Sequence, residues 1–162
     1  LSLFFNSNRP NGHGKWDLWV TTRATKEDDW GVPDNLGPIV NTASVEVSPN
    51  ISADGLTLFF DSDRPGGFGN SDLWVTTRKA ISEPWGEPAN LGPTINSSNK
   101  EFAPACSSDG STLYFCSNQS GGKVGWELLV TRRAAAGNNW SIPFSPGSTP
   151  GNPAVFNTLC NP

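Results

Sequence analysis

The sequence predicts an all-β protein in which one sheet of four antiparallel strands is repeated three times. Three observations predict it. A single phrase recurs at constant spacing. Gly (17) and Pro (14) are abundant while charged residues make up only 16% of the 162-residue chain. No window keeps a 3.6-residue apolar period, because Pro or Gly interrupts every stretch. The length suffices for one domain with a real core. Seven Trp and nine Phe supply apolar surface and argue against disorder.

The spacing can be counted. Leu3, Leu58 and Leu113 are each 55 residues apart, as are Trp30, Trp85 and Trp140, and Arg23, Arg78 and Arg133. The acidic trio Asp17, Asp72 and Glu127 keeps the same step. "NLGPIVN" (Asn35–Asn41) returns as "NLGPTIN" (Asn90–Asn96), and "EVSPNISADGLTLFF" (Glu46–Phe60) as "EFAPACSSDGSTLYF" (Glu101–Phe115). A period of this size indicates stacked supersecondary units.

Within a unit each element has its own signal. "EFAPAC" alternates side-chain character as a first strand, and "SSDG" is a tight Asp-Gly turn. "STLYFCS", rich in β-formers, is the second strand. A Gly-rich loop leads to "WELLVTRR", the third. The last piece, "NNWSIPF" or "EPWGEPANLGP", is short and Pro-bounded, which suits an outer edge strand. Four strands in about 55 residues is the make-up of a β-propeller blade with long loops. The repeats fall at about 1–45, 46–100 and 101–152, in a single part-domain spanning 1–162, with 153–162 as a closing strand.

The combined phrase, W-x-x-P-x-N-L-G-P-x-I/V-N followed by E-x-x-P-x-x-S-x-D-G-x-T-L-x-F-x-S-x-R-P-G-G-x-G-x-x-D-L-W-V-T-T-R, resembles the TolB-type, WD-like β-propeller repeat. The third copy departs from it: Gln119-Ser120 replaces Arg-Pro, Leu129 replaces Trp, and "NLGP" dissolves into "SPGSTPGNP". Such repeats occur in secreted and periplasmic bacterial proteins, often beside cell-envelope modules, so the resemblance implies a periplasmic or secreted location. The chain has no Met and opens on "LSLFF", inside a strand pattern, which suggests a processed piece or a fragment. Three blades are fewer than the four to eight of closed propellers. The expectation is half of a six-bladed ring, completed by a second copy as a homodimer or by additional blades.

Connections from second to third strand, and from the fourth to the next first, are expected on one end. There a rigid frame aims variable loops at a common centre. Candidate ligand-binding residues on this loop face are Arg9, His13, Lys15, Asp63, Arg64, Phe68, Asn70, Gln119 and Lys123. Arg9 and Arg64 could read acidic or sugar ligands, or each guanidinium could be stapled to carbonyls or to a neighbouring blade. Asp17, Asp72 and Glu127 are expected to hold the preceding Gly-rich loop through its backbone N–H groups, with cation binding as the alternative. "GGFGNSD" matches a calcium-binding nonapeptide only weakly, having one residue too many before its Asp, so no metal or other cofactor is assigned. Trp30, Trp85 and Trp140 read as packing residues. Cys106, Cys116 and Cys160 read as small buried hydrophobes; were a bridge present, Cys160 would pair with Cys106 or Cys116.

A net charge of −4 offers no basic stripe for nucleic acid, and no apolar run reaches membrane-spanning length. No nucleophile–base motif or Cys/His set occurs, and the lone His13 sits in a Gly-rich loop. The reading is therefore a non-catalytic binding or scaffold module of the bacterial cell envelope or exterior, engaging protein or glycan. The alternative is a fragment of a polysaccharide hydrolase or lyase whose catalytic blades lie outside this chain.

Overall fold

A computed structural model describes residues 1–118, 125–133 and 139–146. Three antiparallel sheets follow one another along the chain. The first comprises β1 (Ser2–Ser7), β2 (Asp17–Thr22) and β3 (Asp34–Asn35), in that order. The second is β4 (Glu46–Ile51), β5 (Thr57–Ser62), β6 (Asp72–Thr77) and β7 (Ala89–Asn90). The third is β8 (Glu101–Cys106), β9 (Thr112–Ser117) and β10 (Glu127–Arg132). The registers coincide: Phe5 faces Trp19, Phe60 faces Trp74 and Phe115 faces Leu129. Outer strands β3 and β7 have two residues each, beside Pro33 and Pro88, which suits a place where a missing N–H is tolerated. In the third sheet that place is taken by bridges from Val130 to Phe144 and from Arg133 to Trp140.

Side chains alternate along a strand, so the continuous apolar run "TLFF" buries both faces of the second sheet. Leu58, Phe60, Trp74 and Trp85 pack against Phe4, Leu18, Leu36 and Val40 of the first repeat. Phe59, Leu73, Val75 and Ile95 pack against Leu113, Phe115, Leu129 and Trp140 of the third. The two interfaces repeat one another in detail. Phe4 meets Trp85 edge-on at 6.2 Å between centroids, and Phe59 meets Trp140 edge-on at 6.2 Å.

A second repeated contact fastens sheet to sheet. β4 is bulged between Val47 and Asn50, and β8 between Phe102 and Ala105. The bulge places Ser48 and Ala103 at φ 54° and 53°, in the left-handed region. Their N–H groups donate into the preceding sheet, Ser48 to Asn6 Oδ1 at 3.2 Å and Ala103 to Asp61 Oδ1 at 3.1 Å.

The outward faces differ from their buried counterparts. Leu3 is 45% exposed where Leu58 and Leu113 are 0%, and Tyr114 is 40% exposed where Phe59 is 1%. The expectation that all three repeated Trp are core therefore needs correcting. Trp85 is buried, whereas Trp30 on the uncovered face is 40% exposed. What the three share is an arginine seven residues earlier stacked on the indole, at 4.3 Å (Arg23), 4.4 Å (Arg78) and 4.7 Å (Arg133). Of the cysteines expected to be small buried hydrophobes, Cys106 is a half-buried free thiol and Cys116 is disulfide-bonded; Cys160 lies outside the described residues. The expected closing strand, 153–162, lies outside them as well.

Candidate functional site

The loop after β1 and the linker before β4 lie side by side, and the same pair recurs one repeat later. Lys15 N–H donates to Ser44 O at 3.0 Å and Glu46 N–H to Trp16 O at 2.8 Å. Asn70 N–H donates to Asn99 O at 2.7 Å and Glu101 N–H to Ser71 O at 2.8 Å. Such close approach needs glycine. A Cβ on Gly14 would strike the carbonyl oxygens of Thr42 and Ser44, and one on Gly69 those of Ser97 and Asn99.

Buried carboxylates organise these loops. Asp17 accepts from the N–H groups of His13 (2.5 Å) and Gly14 (3.0 Å), and Asp72 from Phe68 (2.5 Å) and Gly69 (3.0 Å). Each acid is completed by an asparagine of the "NLGP" phrase: Asn35 Nδ2 donates to Asp17 and Asn90 Nδ2 to Asp72, both at 2.8 Å. The last residue of that phrase closes the network. Asn41 Nδ2 donates to Asn35 Oδ1 while its Oδ1 accepts Leu18 N–H, and Asn96 does the same with Asn90 and Leu73. Sequence reasoning missed the asparagines, although their 55-residue spacing was the available signal. Ser145 and Gly151 stand at these positions in the third copy, so neither asparagine of the pair is repeated there. Residues 119–124 of the loop preceding Glu127 lie outside the described residues.

Arg64 is buried. Its Nη2 donates to Val40 O of the preceding linker at 2.6 Å and pairs with Glu46 Oε1 at 3.2 Å. The guanidinium lies over Phe60 (4.9 Å) and Trp74 (5.2 Å), and burial pushes its pKa down against the opposing pull of Glu46. Arg9, half-buried on the uncovered face, lies over Phe5 (4.9 Å) and Trp19 (5.0 Å). Asp63 is exposed, and its Oδ1 accepts Val45 N–H at 2.8 Å.

Residues that change between copies sit on this frame with their side chains outward. His13 and Phe68 occupy one position and Lys15 and Asn70 another, and all four are exposed. Lys100 lies nearby, its ammonium over Phe102 at 5.0 Å and Trp126 at 5.9 Å. Gln119 and Lys123 fall outside the described residues. Among the described residues no group of three or more His, Cys, Asp or Glu could hold a metal ion, and no helix is long and apolar enough to cross a membrane.

The chain matches no protein-family model and no curated protein. Among solved structures it is similar to TolB from Acinetobacter baumannii, with a TM-score of 0.55 and 11% sequence identity over 86% of this chain. The fold is that of a β-propeller. The likeness is one of architecture, and the chain spans 29% of the length of that TolB chain.

At the opposite end of the blades, the Asp-Gly turns of the second and third form a cleft of about 400 Å³ lined by Asp54, Phe59, Cys106, Asp109 and Arg133. Asp109 accepts from Ser107 Oγ, Ser111 N–H and Ser111 Oγ, which hold its carboxyl down at about 2. Asp54 is lowered by the same turn geometry, through Ser52 and Leu56. Burial pushes the Cys106 thiol up, leaving it a weak nucleophile.

Proposed function

We propose that the protein is a non-catalytic binding module of the bacterial cell envelope or exterior, engaging protein or glycan through the end where the 11–16 and 67–71 loops meet the linkers. One observation carries this reading. On that end the acids at repeated positions are engaged in holding the backbone, while the side chains that vary between equivalent positions, His13 against Phe68 and Lys15 against Asn70, are exposed. A rigid frame with interchangeable tips is suited to recognition. Arg64 and Asp63 then act from behind, by fixing the linkers. Arg9, Gln119 and Lys123 belong to the same reading as further contacts.

The test is a screen of the full chain against soluble glycan fragments and envelope-derived peptides by amide chemical-shift mapping, with turnover followed on the same compounds. The reading predicts shifts confined to residues 9–16, 67–71, 97–100 and 119–123, and binding weakened by His13→Ala and Phe68→Ala. Turnover that survives purification and depends on a loop-face carboxylate overturns it in favour of a hydrolase or lyase.

A further inference from the structure

The cleft between the Asp-Gly turns of the second and third blades carries charges of both signs on a fixed frame. Asp109 and Arg133 stand on one wall. Arg133 Nε donates at 2.8 Å to the carbonyl of Gly110, the residue after Asp109, and its guanidinium is stacked on Trp140. Asp54 stands on the other wall, in the turn of the second blade. Asn50 Oδ1 accepts Cys106 N–H at 2.8 Å, which ties the innermost strands of the two blades together at the cleft. A site held in this way loses little freedom when a ligand enters.

Both carboxylates are ionised at neutral pH, because turn hydrogen bonds, led by Ser52 for Asp54 and Ser107 for Asp109, hold them below the ordinary range. Each keeps acceptor capacity. Asp54 Oδ1 takes Ser52 Oγ and Leu56 N–H, while its Oδ2 takes no hydrogen bond from a described residue. Asp109 Oδ2 takes Ser111 Oγ at 2.9 Å and has lone pairs to spare. In Arg78, the counterpart of Arg133, Nε holds the Gly55 carbonyl and Nη1 that of Ile81, which leaves Nη2 as a donor. Arg133 Nη2 lies on the turn side, 3.4 Å from where a Cβ on Gly110 would stand. Beyond burial, the charges of Arg133, Asp109 and Asp54 all act on the Cys106 thiol, so the three surround one point. Thr57, Phe59 and Cys106 line the space between them without charge.

We propose that this cleft binds a free basic amino acid, with its carboxylate on Arg133, its α-ammonium on Asp109 and its side-chain cation on Asp54. Two negative groups and one positive complement two positive groups and one negative. The arrangement matches as well as the count. Asp109 and Arg133 are neighbours on one turn, as the ammonium and carboxylate are neighbours on an α-carbon. Asp54 lies across the cleft, as the side-chain cation lies at the far end of its methylene chain, and Thr57 and Phe59 give that chain a wall to lie against. A volume of about 400 Å³ is at the lower end of the range for small-molecule sites, which suits a ligand of this size. The site is at the end opposite the 11–16 and 67–71 loops and is separate from the recognition proposed there.

The probe is L-lysine, titrated into the full chain at fixed ionic strength with calorimetric and amide chemical-shift readouts. Saturable binding is expected with a Kd on the order of 1 mM, as suits charge pairs open to water. The shifts should be confined to residues 52–57, 106–111 and 133. Norleucine, which lacks the side-chain cation, and lysinamide, which lacks the carboxylate, should each bind about fivefold more weakly or less. Asp54→Asn keeps an oxygen for the Leu56 N–H and should weaken lysine by about the same factor. The two analogues test the Asp54 and Arg133 contacts without touching the fold. The proposal is overturned by no saturable binding up to about 50 mM, by norleucine or lysinamide binding as tightly as lysine, by shifts elsewhere, or by Asp54→Asn without effect.

Discussion

Arg64 and Glu46 form an ion pair of 3.2 Å with side chains 8% and 0% exposed, and the same guanidinium nitrogen holds the Val40 carbonyl of the preceding linker at 2.6 Å. One side chain thus joins its own blade's innermost strand to the blade before it. Removing one member of a buried pair strands the other in a poor solvent. Arg64→Ala should therefore cost about 3 kcal/mol in urea unfolding. Arg64→Lys should recover part of this, because an ammonium keeps the charge but loses the Nε donor to Ser62 and the planar group over Phe60 and Trp74. A loss below about 0.5 kcal/mol for Arg64→Ala would place the pair's role elsewhere.

Gly14→Ala and Gly69→Ala should each destabilise by about 2 kcal/mol or more, since the added carbon meets backbone oxygens that cannot swing aside. The amides of Lys15 and Asn70, which donate to the opposing linkers, should lose exchange protection with them. Thermal melts and amide exchange on the two variants check both effects.

Asp61 is buried, and that burial pushes its carboxyl above the ordinary range against the contrary pull of Ser48, Ala103, Lys100 and Ser71. A raised folded value means that the folded state holds the proton more tightly. The favourable contribution is complete below the unfolded value, about 3.9, and is lost as pH rises through the folded one. Asn6 stands at the equivalent position and accepts the equivalent bond, so an amide fits. Asp61→Asn should raise the Tm at pH 7 and leave it nearly unchanged near pH 3. A lower Tm at pH 7 would contradict this.

Asp109 carries the opposite sign. Its carboxyl, fully exposed, is lowered to about 2 by Ser107 and Ser111. The turn's contribution is present above the unfolded value and is lost as pH falls through about 2. A carbon-detected titration should find its midpoint there, and Ser107→Ala should move the midpoint upward. An unchanged midpoint in that variant would remove Ser107 as the cause.

Much of this was legible because the repeat is spelled out. The 55-residue step located Leu58 against Leu113 and Asp17 against Asp72, and alternation located the strands. The loops that share one end followed from strand order. What escaped was set by neighbours in space. Nothing in the letters separates Trp30, 40% exposed, from Trp85, which packs among residues of the first repeat. The Asn35–Asn41 network was hidden because polar residues in a turn phrase read as local turn chemistry, whereas these reach 18 residues back to Asp17 and 23 back to Leu18. The bulges at Ser48 and Ala103 were invisible because both are L-residues at positive φ, with no glycine to mark them.

Amide exchange at Ser48 and Ala103 tests most directly whether the sheets stack as successive blades, since each N–H donates to a side chain of the preceding sheet. The stacked arrangement predicts that both amides exchange as slowly as the centres of β5 and β9, through global unfolding alone. Rapid exchange at these two positions while the strand centres stay protected would contradict it.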